Sequence, residues 1–118
     1  MRKLKVIILF AVLVFSILLT GCSQQTTVDK GNVQLKDVVK VEIKDFQFMP
    51  KDLVIKKGTI VEWTNLDNMV HTASSVGNFD SGRINPGEKW SYTFNEVKKY
   101  EYACYFHPEM KATIEVTE

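Results

Sequence analysis

The chain has 118 residues, with 15 Lys+Arg against 14 Asp+Glu and a net charge of +1. A chain this short argues for one small domain with a modest core. The near-balanced charge, with no basic stripe, excludes a nucleic-acid-binding role.

In chain order, residues 1–21 read first as a targeting segment. Arg2, Lys3 and Lys5 make a positive start, and Val6 to Leu19 is an uncharged, mostly apolar run. Fourteen residues suit the helical core of a signal peptide and are short for a spanning helix. The run ends in Leu19-Thr20-Gly21-Cys22, which resembles the lipobox of bacterial lipoproteins. That resemblance implies cleavage before Cys22, acylation of Cys22 and export to an oxidising compartment. It places the protein on the outer face of the cytoplasmic membrane or in the periplasm. Two acyl chains suffice for stable anchoring. An uncleaved anchor with an incidental cysteine is the alternative. A Cys22–Cys104 disulfide is the other use of the two cysteines, and lipidation of Cys22 argues against it. Cleavage would leave 97 residues with 12 basic and 14 acidic side chains, a net charge of about −2.

Cys22 to Asp37 reads as the lipidated residue and a flexible linker, polar and without aromatic residues. Fifteen such residues reach roughly 20 Å on average. From Val38 to Glu118 the apolar period is two. Val39, Val41 and Ile43 alternate with Lys40, Glu42 and Lys44. Leu53-Val54-Ile55 follows, then a turn at Lys56-Lys57-Gly58. Thr59 to Asn65, Lys89 to Phe94, Lys99 to Tyr105 and Lys111 to Thr117 complete the expected strands. The Ser74 to Asn78 stretch and Asn85-Pro86-Gly87 punctuate them. Several short strands without a helical period argue for an all-β sandwich.

The chemistry-bearing run is Cys104-Tyr105-Phe106-His107-Pro108-Glu109-Met110. It places a thiol, an imidazole and a thioether within seven residues. The other histidine of the chain is His71. Soft sulfur with imidazole suits copper, and a His2Cys set with a weak axial Met is the electron-transfer arrangement. The expected ligands are therefore His71, Cys104 as thiolate, His107 and Met110, around one type 1 copper ion. Taken singly, the cysteine and methionine would be ordinary core residues and either histidine a hydrogen-bonded one. Zinc is the rival metal, but a thioether is an unusual zinc ligand. Glu109 is a weaker candidate for an oxygen ligand.

The same residues carry a family resemblance. The chain resembles the small blue-copper proteins, the cupredoxins, of the amicyanin and pseudoazurin type, with plastocyanin a more distant match. The matching stretches are Phe46 to Pro50, Lys57 to Asn65, His71-Thr72, Phe79 to Gly82, Pro86 to Glu88 and Tyr100 to Met110. The resemblance implies a Greek-key β-sandwich, the same four copper ligands and one-electron carriage between larger redox proteins such as cytochromes, oxidases or reductases. It also implies a partly exposed His107 as the electron's exit, with Phe106, Pro108 and Met69 around it as an apolar docking patch. Relatives commonly have Gly where Lys99 and Lys111 stand here, and Asn where Thr72 stands. Thr72 is expected to support the thiolate through its backbone N–H or hydroxyl. A monomeric carrier rather than an enzyme is expected, because a second copper centre would need further histidines. A binuclear copper site would need a second cysteine in the loop. Copper delivery, storage or resistance is the alternative function.

Overall fold

The computed structural model describes residues 35–118. The signal segment, Cys22 and most of the expected linker lie outside the described residues. Leu35 to Asp37 are exposed and irregular, and the first strand begins at Val38.

Nine strands form two sheets: β1 (Val38–Lys44), β2 (Gln47–Met49), β3 (Asp52–Lys56), β4 (Ile60–Asn65), β5 (Ser74–Ser75), β6 (Phe79–Asp80), β7 (Lys89–Thr93), β8 (Lys99–Ala103) and β9 (Lys111–Thr117). One sheet has the order β2-β1-β4-β7 and the other β3-β9-β8-β5-β6. The pairs β1–β4 and β3–β9 are parallel, and the remaining pairs are antiparallel. The all-β expectation therefore holds, in two sheets and with no helix among the described residues.

Alternation decides which face of each strand is covered. In β1, Val41 and Ile43 are buried while Lys40, Glu42 and Lys44 face solvent. In β4, Val61, Trp63 and Asn65 are inward, and in β9 Ala112, Ile114 and Val116 are. The two inner faces meet on an aromatic cluster. Trp63 lies 5.2 Å from Trp90, 5.7 Å from Tyr102, 5.8 Å from Phe79 and 6.3 Å from Phe94, centroid to centroid. Trp63 Nε1 donates to the Tyr102 hydroxyl at 3.3 Å, so the buried indole N–H has a partner. Burial pushes the Tyr102 hydroxyl pKa well up, and the Trp63 hydrogen bond offsets only part of that.

Three elements exceed the strands expected from periodicity. β2 has three residues, and β5 and β6 have two each. The Ser74 to Asn78 stretch, read as loop, contains β5, whose two serines are both buried. Ser74 satisfies its hydroxyl on Asp80 at 2.7 Å, and Asn78 donates to Ser75 Oγ at 3.1 Å. Elsewhere the expected strands agree to within two residues at each end.

Candidate metal centre

Three chain segments converge at one end of the sandwich. The first is the loop after β4, which carries His71. The second is the loop between β8 and β9, which carries Cys104, His107 and Met110. The third is the tight turn between β1 and β2, at Asp45-Phe46.

The β8–β9 loop begins after the last ladder pair, Ala103 with Lys111. Cys104 N donates to Met110 O at 3.1 Å, and Met110 N donates to His107 O at 2.9 Å. These two bonds close the loop into a small ring, and Pro108 restricts its backbone further. Cys104 and Met110 are buried, His107 is half-buried, and Tyr105, Phe106 and Glu109 are exposed.

The β4–β5 loop is held from inside by Asn65, which is fully buried. Its side-chain amide donates to Met69 O at 2.7 Å and Ile84 O at 2.8 Å, and its carbonyl accepts from Asp67 N at 3.0 Å. His71 then pairs with Ile84 through both backbone groups, at 3.2 Å and 2.9 Å. The His71 ring is fully buried.

The donor atoms meet closely. Cys104 Sγ lies 3.7 Å from His71 Nδ1 and 3.6 Å from His107 Nδ1. All three donors lie within 4.8 Å of one another. Ligand bonds of about 2.0 Å to nitrogen and about 2.3 Å to sulfur, in a trigonal arrangement, separate sulfur from nitrogen by about 3.7 Å. The observed spacings therefore fit one ion between the three side chains. Thiolate and imidazole are the donor types that copper favours. Glu109, exposed, is outside this cluster.

Thr72 ties the two ligand loops together. Its backbone N–H points at Cys104 Sγ, 3.4 Å away, and its hydroxyl oxygen accepts from Tyr105 N at 2.9 Å. Of the two expected routes, the backbone N–H reaches the sulfur, while the hydroxyl holds the ligand loop instead. An N–H aimed at sulfur favours the thiolate.

Two residues at the site are not among the expected site residues. Asp67 accepts from Asp45 N at 2.7 Å, from Phe46 N at 3.0 Å, and meets His71 Nε2 at 2.9 Å. Burial works to raise its carboxyl pKa. The Phe46 and Asp45 N–H groups and the His71 ring outweigh that and hold it below the ordinary carboxylate value. Phe46 stands edge-on to both imidazoles, 5.4 Å from the His71 ring and 5.0 Å from the His107 ring. The spacing of Asp67 four residues before His71 was visible. Only the fold shows that the same carboxylate reaches a turn more than twenty residues upstream.

Apolar side chains are exposed beside the ligands. Phe106, next to His107 in the chain, is 47% exposed, Phe46, against the His107 ring, 42%, and Met69, two residues before His71, 47%. Phe106 is therefore a surface residue rather than core, and Arg83 stacks over its ring at 5.6 Å. A groove of about 710 Å³ lined by residues of β5, β8 and β9 includes none of the three donors.

A cupredoxin-like domain family matches residues 9–116. The amicyanin of Paracoccus versutus is 30% identical over 84 residues, covering 66% of this chain and 64% of its own length. A reduced Cu(I) form of an amicyanin variant superposes with a TM-score of 0.65 at 26% identity, covering 68% of this chain and 82% of that one. A copper-containing nitrite reductase from Thermus scotoductus superposes with a TM-score of 0.64 at 32% identity. There the match covers 68% of this chain but 22% of the reductase.

Proposed function

The chain belongs to the cupredoxin family, and from that premise we propose that it is a membrane-tethered carrier of single electrons, holding one type 1 copper ion. The observation that carries this reading is the meeting of Cys104 Sγ with the Nδ1 atoms of His71 and His107 inside 4.8 Å. Bound copper supplies a one-electron couple, Cu(I)/Cu(II).

The chain's residues define what that site needs. Cys104 would bind as a thiolate, with the Thr72 N–H directed at its sulfur. His71 offers Nδ1 because Nε2 faces Asp67. His107 offers Nδ1 inward and leaves its ring half-exposed. Met110, buried in the closed loop, would supply the weaker thioether ligand. Burial of His71, Cys104 and Met110 keeps bulk water away from three of the four ligands. The exposed rings of Phe46, against the His107 ring, and of Phe106, beside it in the chain, give His107 apolar neighbours at the surface. Small interfaces of that kind suit transient redox encounters.

The tether rests on residues 19–22 and the polar stretch that follows. It places the domain outside the cytoplasmic membrane, facing redox partner proteins there. Among the described residues no helix is long and apolar enough to cross a membrane. A copper-handling role would use the same ligands. The deep burial of Cys104 and His71 disfavours ready transfer of the ion to a second protein. Voltammetry separates the two readings. A carrier gives a reversible one-electron wave and keeps its copper when mixed with an excess of a competing copper chelator. A delivery protein surrenders the copper. Cys22→Ala tests the tether, and retention of that variant in the membrane fraction after export would refute it.

A further inference from the structure

We infer that Asp67 is a positioning residue of the metal centre, and that with Phe46 it forms a clamp holding both imidazoles in metal-ready orientation before any ion arrives. The inference rests on the copper-site reading above and adds to it a cause for the ligand geometry.

The clamp has two arms. In the first, Asp67 Oδ2 lies 2.9 Å from His71 Nε2. A carboxylate only accepts, so Nε2 must carry the ring proton. The lone pair is then on Nδ1, the atom 3.7 Å from Cys104 Sγ. His71 is fully buried, so water does not compete for either ring nitrogen. A histidine ligand fixed in this way has its tautomer and its ring plane set by its carboxylate partner.

The second arm runs through the β1–β2 turn. Lys44 pairs with Gln47, so Asp45 and Phe46 are the two turn residues, and their φ angles are +52° and +58°. A turn with both central residues at positive φ normally uses Asn or Asp followed by Gly. A bulky residue there is a true outlier, and its left-handed backbone is strained. Asp67 offsets that strain by accepting both turn N–H groups, at 2.7 Å and 3.0 Å. What the strain achieves is the placement of one ring against two ligands. The Phe46 ring meets His71 at an interplanar angle of 88° and His107 at 86°. Edge-to-face contacts of this kind orient aromatic rings. Strained backbone held by surrounding structure is characteristic of ligand clamps.

The Asp67 charge adds a further consequence. Its negative charge, transmitted through the His71 ring, enriches the electron density that Nδ1 offers an ion. That favours the higher oxidation state of the ion and lowers the reduction potential.

The test starts with the metal-free chain. Long-range ¹H–¹⁵N correlation spectra are expected to show His71 with its proton on Nε2, and Asp67→Ala to show a mixture of tautomers. Copper titration of the same variant should then show an affinity loss of about 10–100-fold. In Asp67→Asn the amide oxygen can still accept from His71 and Phe46. Copper should therefore bind more tightly than in Asp67→Ala, with a reduction potential above that of the wild type. Phe46→Ala should keep the His71 tautomer and give His107 a broadened ring resonance. A wild-type His71 protonated on Nδ1 overturns the clamp. So does an Asp67→Ala protein with wild-type tautomer and affinity. If the wild type binds no copper, the copper-site reading fails, and the tautomer of the metal-free protein still decides whether the clamp exists.

Discussion

Replacing Asn65 by alanine is expected to destabilise the metal-free protein by about 3 kcal/mol, the sum of three hydrogen bonds at about 1 kcal/mol each. The bonds are those to Met69 O, Ile84 O and from Asp67 N. The cost stays near that sum for a structural reason. Ile84 O keeps the His71 N–H as a partner, and Met69 is half-exposed, so its carbonyl can find water. For a domain of this size, about 3 kcal/mol lowers the melting temperature by about 12–24 °C. Urea unfolding of the metal-free protein is the assay, because bound metal would itself stabilise the native state. Asn65→Asp sharpens the test. It matches Asn in shape but sets a carboxylate oxygen against two carbonyls in a fully buried position. It is expected to be at least as damaging as alanine. An Asn65→Asp protein within about 1 kcal/mol of wild type would show that shape, not the donor pattern, holds the His71 loop.

Other expectations follow from single contacts. Thr72→Val keeps the backbone N–H on Cys104 Sγ but removes the acceptor of Tyr105 N, so unfolding experiments should show a loss of about 1 kcal/mol with the metal site still competent. Trp63→Ala, in the centre of the aromatic cluster, should cost about 3–5 kcal/mol by the same assay. Asp80 accepts from the Ser74 hydroxyl and from Gly82 N, which hold its carboxyl below the ordinary value of 3.8 while burial opposes them. Its folded value lies below its unfolded one, so its stabilisation is present above pH 3.8 and is lost as pH falls through the folded value. The stability gap between wild type and Asp80→Asn, measured in the metal-free protein, should be constant near neutrality and close in that acid range. A gap that persists at the lowest pH would contradict the assignment.

The parts of this fold that were legible in the sequence are those with enough length to show a period. β1 and β9 each carry three inward apolar residues in strict alternation, and β4 carries Val61 and Trp63 followed by Asn65. Two-residue β5 and β6 cannot show a period, and the inward side chains of β5 are serines satisfied by Asp80 and Asn78. The β1–β2 hairpin was hidden for a different reason. Its turn uses Asp45-Phe46 where a glycine would have announced it, and its stability comes from a carboxylate distant in sequence.

The metal centre was legible in the same uneven way. Cys104, His107 and Met110 are close in sequence because one tight loop holds them, and His71 followed from the count of histidines. Asp67 and Phe46 were not, because an aspartate in a polar loop and a phenylalanine near a strand look alike in many folds. Their roles arise from tertiary contact alone. Thr72 lies between these cases. Its position beside His71 suggested help for the sulfur, and the structure adds the hydroxyl bond that pins the ligand loop.

The central claim is a copper ion held by Cys104 thiolate between two imidazoles, and the visible absorption spectrum of the Cu(II)-loaded chain tests it most directly. An intense blue thiolate-to-copper band is expected, which disappears on reduction and is absent from Cys104→Ala. A colourless protein that binds zinc tightly and shows no redox wave would contradict it.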